Sequence, residues 1–157
     1  PYAIRELISS PSDYKIILMG GGRKNLTLQK IFKKYFEDIE KSKIFYDNLL
    51  GILGAKEGVF VPNLTGQTRY FYFLNKNTFC ITEPIDGNSA VPGNGNTVAF
   101  NVPDEETGNK WHQTGLDHGG VSTEDPPGIR EYENMKMYLA YLKDPSGNKI
   151  CAIKVFS

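Results

Sequence analysis

The chain has 157 residues, with Lys plus Arg equal to Asp plus Glu at 18 each, so it carries no net charge. A general nucleic-acid binder or a basic membrane-surface protein relies on a field of one sign, which this balance does not supply. A hydrophobic fraction of 39% with 12% aromatics gives one packed domain, or two small modules sharing a core, and excludes global disorder.

No apolar run approaches the roughly 18 residues needed to span a bilayer. The chain opens on Pro1 rather than Met, which leaves its natural start and any removed signal open. Cys80 and Cys151 lie in strand-like apolar runs and read as buried reduced thiols of a cytoplasmic protein. A disulfide or a thiolate metal site is the lesser alternative.

Residues 1–27 form an N-terminal extension of unclear role. Asp13 to Met19 reads as a short strand running into Gly20-Gly21-Gly22 and Lys24. The glycine spacing fits neither phosphate-loop pattern, so a turn or linker is expected there. From Leu28 to Leu50 two readings compete. Leu28, Ile31, Phe32, Tyr35, Phe36 and Ile39 have helical spacing, while Ile31 to Phe36 also reads as a strand ahead of an acidic helix start at Glu37-Asp38. Strand then helix is preferred, with Ile44, Phe45, Leu49 and Leu50 as the buried stripe and Gly51 and Gly54 as stops.

Gly58 to Val61, Arg69 to Leu74 and Thr78 to Thr82 are then predicted strands, the last two joined by a turn at Asn75-Lys76-Asn77. Glu83 to Gly95 is a connector rich in turn residues. After it the order recurs. Asn96 to Val102 is a strand, Pro103-Asp104-Glu105-Glu106 opens a helix that Gly119-Gly120 closes, and a loop with Pro126-Pro127-Gly128 follows. Met137 to Leu142 and Lys149 to Phe156 flank a Pro/Ser/Gly/Asn cluster and read as a terminal hairpin. Both faces of the last strand are largely apolar, which places it centrally in its sheet.

The two halves look like copies. Laying Asp38 on Asp104 puts Phe45 on Trp111, Tyr46 on His112, Leu50 on Leu116 and Gly54 on Gly120, and Phe79-Cys80-Ile81 can be laid on Ile150-Cys151-Ala152. One repeat made twice predicts two four-stranded sheets related by a pseudo-twofold, with concave faces around a cleft.

Three stretches carry a family resemblance. Asp38 to Gly51 resembles the first-helix signature of the glyoxalase/bleomycin-resistance/dioxygenase (vicinal-oxygen-chelate) superfamily. Gly93 to Phe100 resembles its second-module opening strand, and Asp144-Pro145-Ser146-Gly147-Asn148-Lys149-Ile150 its closing turn. Together they cover about residues 31–156. The resemblance implies an α+β domain over 28–157, built from pseudo-twofold-related βαβββ modules at about 28–86 and 94–157, as a curved mixed sheet around a small-molecule cavity. It also implies a homodimer. In metal-dependent members, four ligands, typically His and Glu, come from the first and last strand of each module, and the metal holds two vicinal oxygens of the substrate.

On this chain those positions fall near Ile31, on Thr97 and on Cys151, with the fourth on Cys80, or on Thr82 or Glu83 if the register slips. Ile31 has no donor atom, Thr97 has a neutral oxygen, and two thiols suit soft metals rather than a hard divalent ion. No cofactor is therefore expected, and a divalent metal is disfavoured. His112 and His118 fall on the second helix, six apart and off a common face, and offer no replacement.

Tyr132, Tyr138 and Tyr141 read as packing residues or as phenols lining a cavity, and Glu124 to Glu131 resembles the family's loop over the cavity mouth. The preferred expectation is a protein that binds an apolar or aromatic small molecule in a cavity lined by Ile31, Cys80, Thr97, Tyr138 and Cys151, with neither nucleic acid nor membrane as partner. The alternatives are a lactoylglutathione-lyase-like enzyme, an isomerase or a dioxygenase of the same superfamily, with Glu83 as its weak candidate carboxylate, and a non-catalytic assembly protein.

Overall fold

A computed structural model describes residues 38–61 and 63–156. Residues 1–27, the predicted strand at 31–36 and the candidate Ile31 lie outside the described residues.

Helix α1 covers residues 38–51. Ile39, Ser42, Phe45, Tyr46, Leu49 and Leu50 recur at helical spacing and are all buried. Ile44, expected on that stripe, is 55% exposed, because the helical period turns it to the solvent side of its neighbour Phe45. The helix closes where Gly54 takes φ 88° and the Ala55 amide donates to the Leu50 carbonyl at 3.1 Å.

Strands β1 (Val59–Phe60), β2 (Arg69–Leu74) and β3 (Asn77–Thr82) follow as an antiparallel sheet in that order. The β2–β3 turn rests on Asn75, whose φ of 54° is one that Asn tolerates better than most residues.

Strand β4 (Val98–Asn101) leads into helix α2 (Glu105–Asp117). Asp104 caps the helix by accepting from the Thr107 amide at 2.7 Å, and Glu105 and Glu106 sit favourably in its first turn. Strands β5 (Val121–Ser122), β6 (Gly128–Tyr132), β7 (Met135–Lys143) and β8 (Lys149–Phe156) complete the chain. The second sheet runs β4-β8-β7-β5, with β6 pairing further along β7. The predicted loop at Gly128 to Glu131 is therefore strand. β4 lies parallel to β8 and the other pairs are antiparallel, so β8 is central, as expected. The result is an α+β fold of two helices on open, curved, mixed sheets.

One core joins the halves. Tyr70 and Tyr72 of the first sheet, and Tyr138, Ala140, Leu142, Ile150 and Ala152 of the second, meet the helices there. A row of rings crosses it: Tyr46 to Phe79 at 4.8 Å, Phe79 to Phe100 at 5.4 Å, and Phe100 to Trp111 at 6.2 Å. α2 approaches its sheet closely because Gly108 and Gly115 have no Cβ. One built there would meet Tyr138 at 2.2 Å and Leu142 at 2.3 Å.

The helices repeat in phase. Ser42 and Gly108, Phe45 and Trp111, Tyr46 and His112, and Leu49 and Gly115 are buried pairs under the laid-over sequence. The helices also end in phase, at residues 51 and 117, which the laid-over sequence pairs, but the left-handed residue beyond them shifts by one: Gly119, not Gly120, takes the φ of 94°.

Candidate functional site

The β7–β8 turn is organised by Asp144, which is 5% exposed. Its Oδ1 accepts from the Ser146 and Asn148 amides at 3.0 and 2.8 Å, and its Oδ2 from the Tyr46 hydroxyl at 2.8 Å. Ser42 and Ser146 hydroxyls meet at 3.1 Å beside it. The D-P-x-G-N stretch thus shapes the turn and also ties it to α1 in the other half of the molecule. Burial, reinforced by the Asp144 carboxylate, pushes the Tyr46 phenol far above its ordinary pKa.

Alternation along the strands then sets two faces. Tyr138, Ala140 and Leu142 point to the helices, so Leu139 and Tyr141 point to the outer face, as do Cys151 and Ile153 of β8. Tyr141 stands directly across the ladder from Cys151, and Ala99 of β4 flanks Cys151 on its other side. Thr97 lies just ahead of β4 and is exposed. Burial raises the Cys151 thiol pKa, although hydrogen bonds from the Ala140 backbone and the Tyr141 hydroxyl oppose the shift. Burial likewise raises Tyr141. The face therefore presents a neutral thiol and a neutral phenol, with Leu139 and Ile153 beside them. At one end Lys149 Nζ and Glu124 Oε1 form an ion pair at 2.6 Å. A cavity of about 360 Å³ opens there, between Glu124, Lys149, Lys143 and the glycine-rich connector at Gly93 to Asn96.

The other sequence candidates do not gather at this face. Tyr138 is fully buried on the helix side, where its hydroxyl donates to Asn109 Oδ1 at 2.9 Å. Its predicted place in the cavity is corrected by strand parity, and burial raises its pKa to about 12. Cys80 is exposed rather than buried, because β3 turns Phe79 and Ile81 to the core and Cys80 away. With Glu83 it borders a different cavity, of about 350 Å³, between α1, β3, the connector and the β7–β8 turn. Glu83 accepts from the Thr68 amide, and its own amide donates back to the Thr68 carbonyl at 3.0 Å, so its carboxylate is engaged in closing the strand pair.

The histidines have structural partners. His112 Nε2 lies 3.1 Å from Ser122 Oγ, and His118 Nδ1 donates to the Thr114 carbonyl at 2.8 Å at the helix end. Among the described residues no three His, Cys, Asp or Glu side chains are grouped to hold a metal ion. The donors at the centre of the outer face, the Cys151 thiol and the Tyr141 phenol, do not fit a hard divalent ion. Glu124 and Lys149 are site residues that spacing alone did not select. The signal for Lys149 was its position two before Cys151, which puts both on one strand face.

Comparison with known proteins bears on what this arrangement is. The family model described as Glyoxalase/Bleomycin resistance protein/Dioxygenase superfamily matches residues 32–152. Among solved structures, a glyoxalase/bleomycin resistance protein from Albidiferax ferrireducens T118 is 48% identical over 74% of this chain and 90% of its own, with a TM-score of 0.66. A glyoxalase/bleomycin resistance protein/dioxygenase family enzyme from Burkholderia phytofirmans PsJN is 17% identical over 76% of this chain and 91% of its own, at 0.56. A glyoxalase-related enzyme from Fulvimarina pelagi is 20% identical over 76% and 81%, at 0.52. These last two bear on the fold alone. Among curated proteins nothing matches the chain. The family match across both halves, the close relative and the tie between the closing turn and the first helix agree: this chain belongs to the glyoxalase/bleomycin resistance protein/dioxygenase superfamily.

Proposed function

We propose that this protein binds an apolar or aromatic small molecule on the outer face of its second sheet, without the divalent metal of its metal-dependent relatives. The observation that carries this reading is Cys151. At the closing-strand position, where the family resemblance implies a ligand such as Glu, stands a buried neutral thiol beside the Tyr141 hydroxyl. Leu139 and Ile153 flank the pair with apolar side chains, and a phenol and a thiol suit a ligand with few polar groups. Glu83, the carboxylate a metal-dependent lyase or dioxygenase reading relies on, is held by Thr68 instead.

The protein acts as a homodimer in this reading. At the far end of the outer face Tyr132, Met135 and Val155 are 56%, 46% and 50% exposed, an apolar group that a second copy would cover. Free thiols at Cys80 and Cys151 favour a reducing compartment. No helix among the described residues is long and apolar enough to cross a membrane.

A thermal-shift screen of small aromatics and antibiotics, run with chelator and with added divalent metals, tests the reading. A ligand of the native state stabilises it by mass action, by about 2.7 kcal/mol at a hundredfold excess over Kd, and so raises Tm. Stabilisation in chelator supports the proposal. Stabilisation that appears only with metal contradicts it.

A further inference from the structure

We propose that the Lys149–Glu124 ion pair is a strap that opens and closes across the outer face of the second sheet, governing access to Tyr141 and the Cys151 thiol. Glu124 follows β5 on one flank of β7, while Lys149 leaves β8 on the other flank. Their side chains meet at 2.6 Å, so the pair spans β7. Where it crosses, Lys149 Nζ stands 5.7 Å from the centroid of the Tyr141 ring. Tyr141 faces Cys151 across the ladder, and Lys149 and Cys151 share one side of β8. The strap therefore lies over the ring that borders the thiol.

Two further features fit a part that opens. Glu124 holds φ at 60°, a left-handed backbone that a non-glycine residue keeps where its surroundings hold it. Its holds include the ion pair and the bond from the neighbouring Thr123 amide to the Tyr141 carbonyl at 3.3 Å. Both charged side chains are also partly exposed, at 33% and 42%, so water and salt reach the pair and weaken it. A closed strap and an open one then lie close in free energy.

This inference extends the proposed function, since it concerns the same face, but its test reads the thiol and needs no ligand. In the full chain, Cys80→Ser leaves Cys151 as the single thiol. The rate at which a small aromatic disulfide reagent modifies that thiol measures access. In this background K149Q and E124Q are each expected to speed modification about three- to fivefold, the scale of losing one exposed ion pair. Raising NaCl to about 0.5 M should speed the parent but leave K149Q unchanged. K110Q removes an exposed charge on α2, away from the strap, and is expected to keep the parent rate. The charge-reversed pair E124K/K149E should restore slow modification.

Equal rates in the parent and both strap variants, or a K110Q effect as large as that of K149Q, would overturn the proposal. The salt series needs no strap variant, so a flat response in the parent overturns it even where a variant misfolds. A blank ligand screen would remove the proposed function while leaving the strap result standing.

Discussion

Asp144 ties together parts of the chain that lie far apart in sequence. Its two oxygens hold the turn amides of Ser146 and Asn148 and the hydroxyl of Tyr46, a residue from the other half of the molecule. Asp144→Ala removes the acceptors of all three bonds, one of them from the buried Tyr46 hydroxyl, and is expected to cost about 3 kcal/mol, while Tyr46→Phe, losing one bond, costs about 1–2 kcal/mol. Urea denaturation checks both, and equal small losses would contradict the account. His112 supplies a pH signature. Burial lowers its pKa, although a bond to the Tyr141 backbone opposes this, so the unfolded chain binds a proton that the folded chain resists. The His112 contribution to stability is thus complete above about pH 6.5 and is lost as pH falls through the lower folded value. His112→Gln should flatten that part of the stability profile, and an unchanged slope would show that His112 does not set it. The turn around Asp144 was readable from Pro145, Gly147 and Asn148. Ile44, Cys80 and Tyr138 were misplaced because each depends on which way one residue faces, and parity is fixed by partners distant in sequence.

Both helices and most strands were readable because their signals are local: apolar spacing in α1, the Asp104 cap and acidic first turn of α2, and the turn residues between β2 and β3. The edge strand of the second sheet was not. It is split into β5 and β6 around Pro126 and Pro127, and prolines without an N–H mask the alternation that marks a strand. The in-phase helix repeat was visible in Phe45 and Trp111. The left-handed φ at Gly119 rather than Gly120 was not, since adjacent glycines offer the same freedom. Glycine roles within the helices separate cleanly by contact. Gly108→Ala should destabilise by about 1–3 kcal/mol, because its Cβ would meet the Tyr138 ring, and this outweighs a helix-propensity gain of up to about 1 kcal/mol. Gly51→Ala has open space at the end of α1 and should stabilise by about 0.5–1 kcal/mol. Thermal melts of the two variants moving in the same direction would contradict the close helix–sheet contact.

At the scale of the molecule, the chain order and the closing turn led to the family, and the family match spans both halves. The candidate site was readable only in part. Cys151 falls on the outer face, while Glu124 and Lys149 reach it from a loop and a strand end that only the folded β5–β7–β8 arrangement brings together. On the proposed reading, ligand binding at this face needs no metal, because the donors at its centre are a thiol and a phenol. The most direct measurement is calorimetric titration of the best stabilising compound from the screen into chelator-treated protein, repeated with Mn, Ni or Zn restored and with Cys151→Ser. The account predicts the same affinity with and without metal and weaker binding to the Cys151 variant. Binding that is absent in chelator and returns with a stoichiometric metal ion would contradict it.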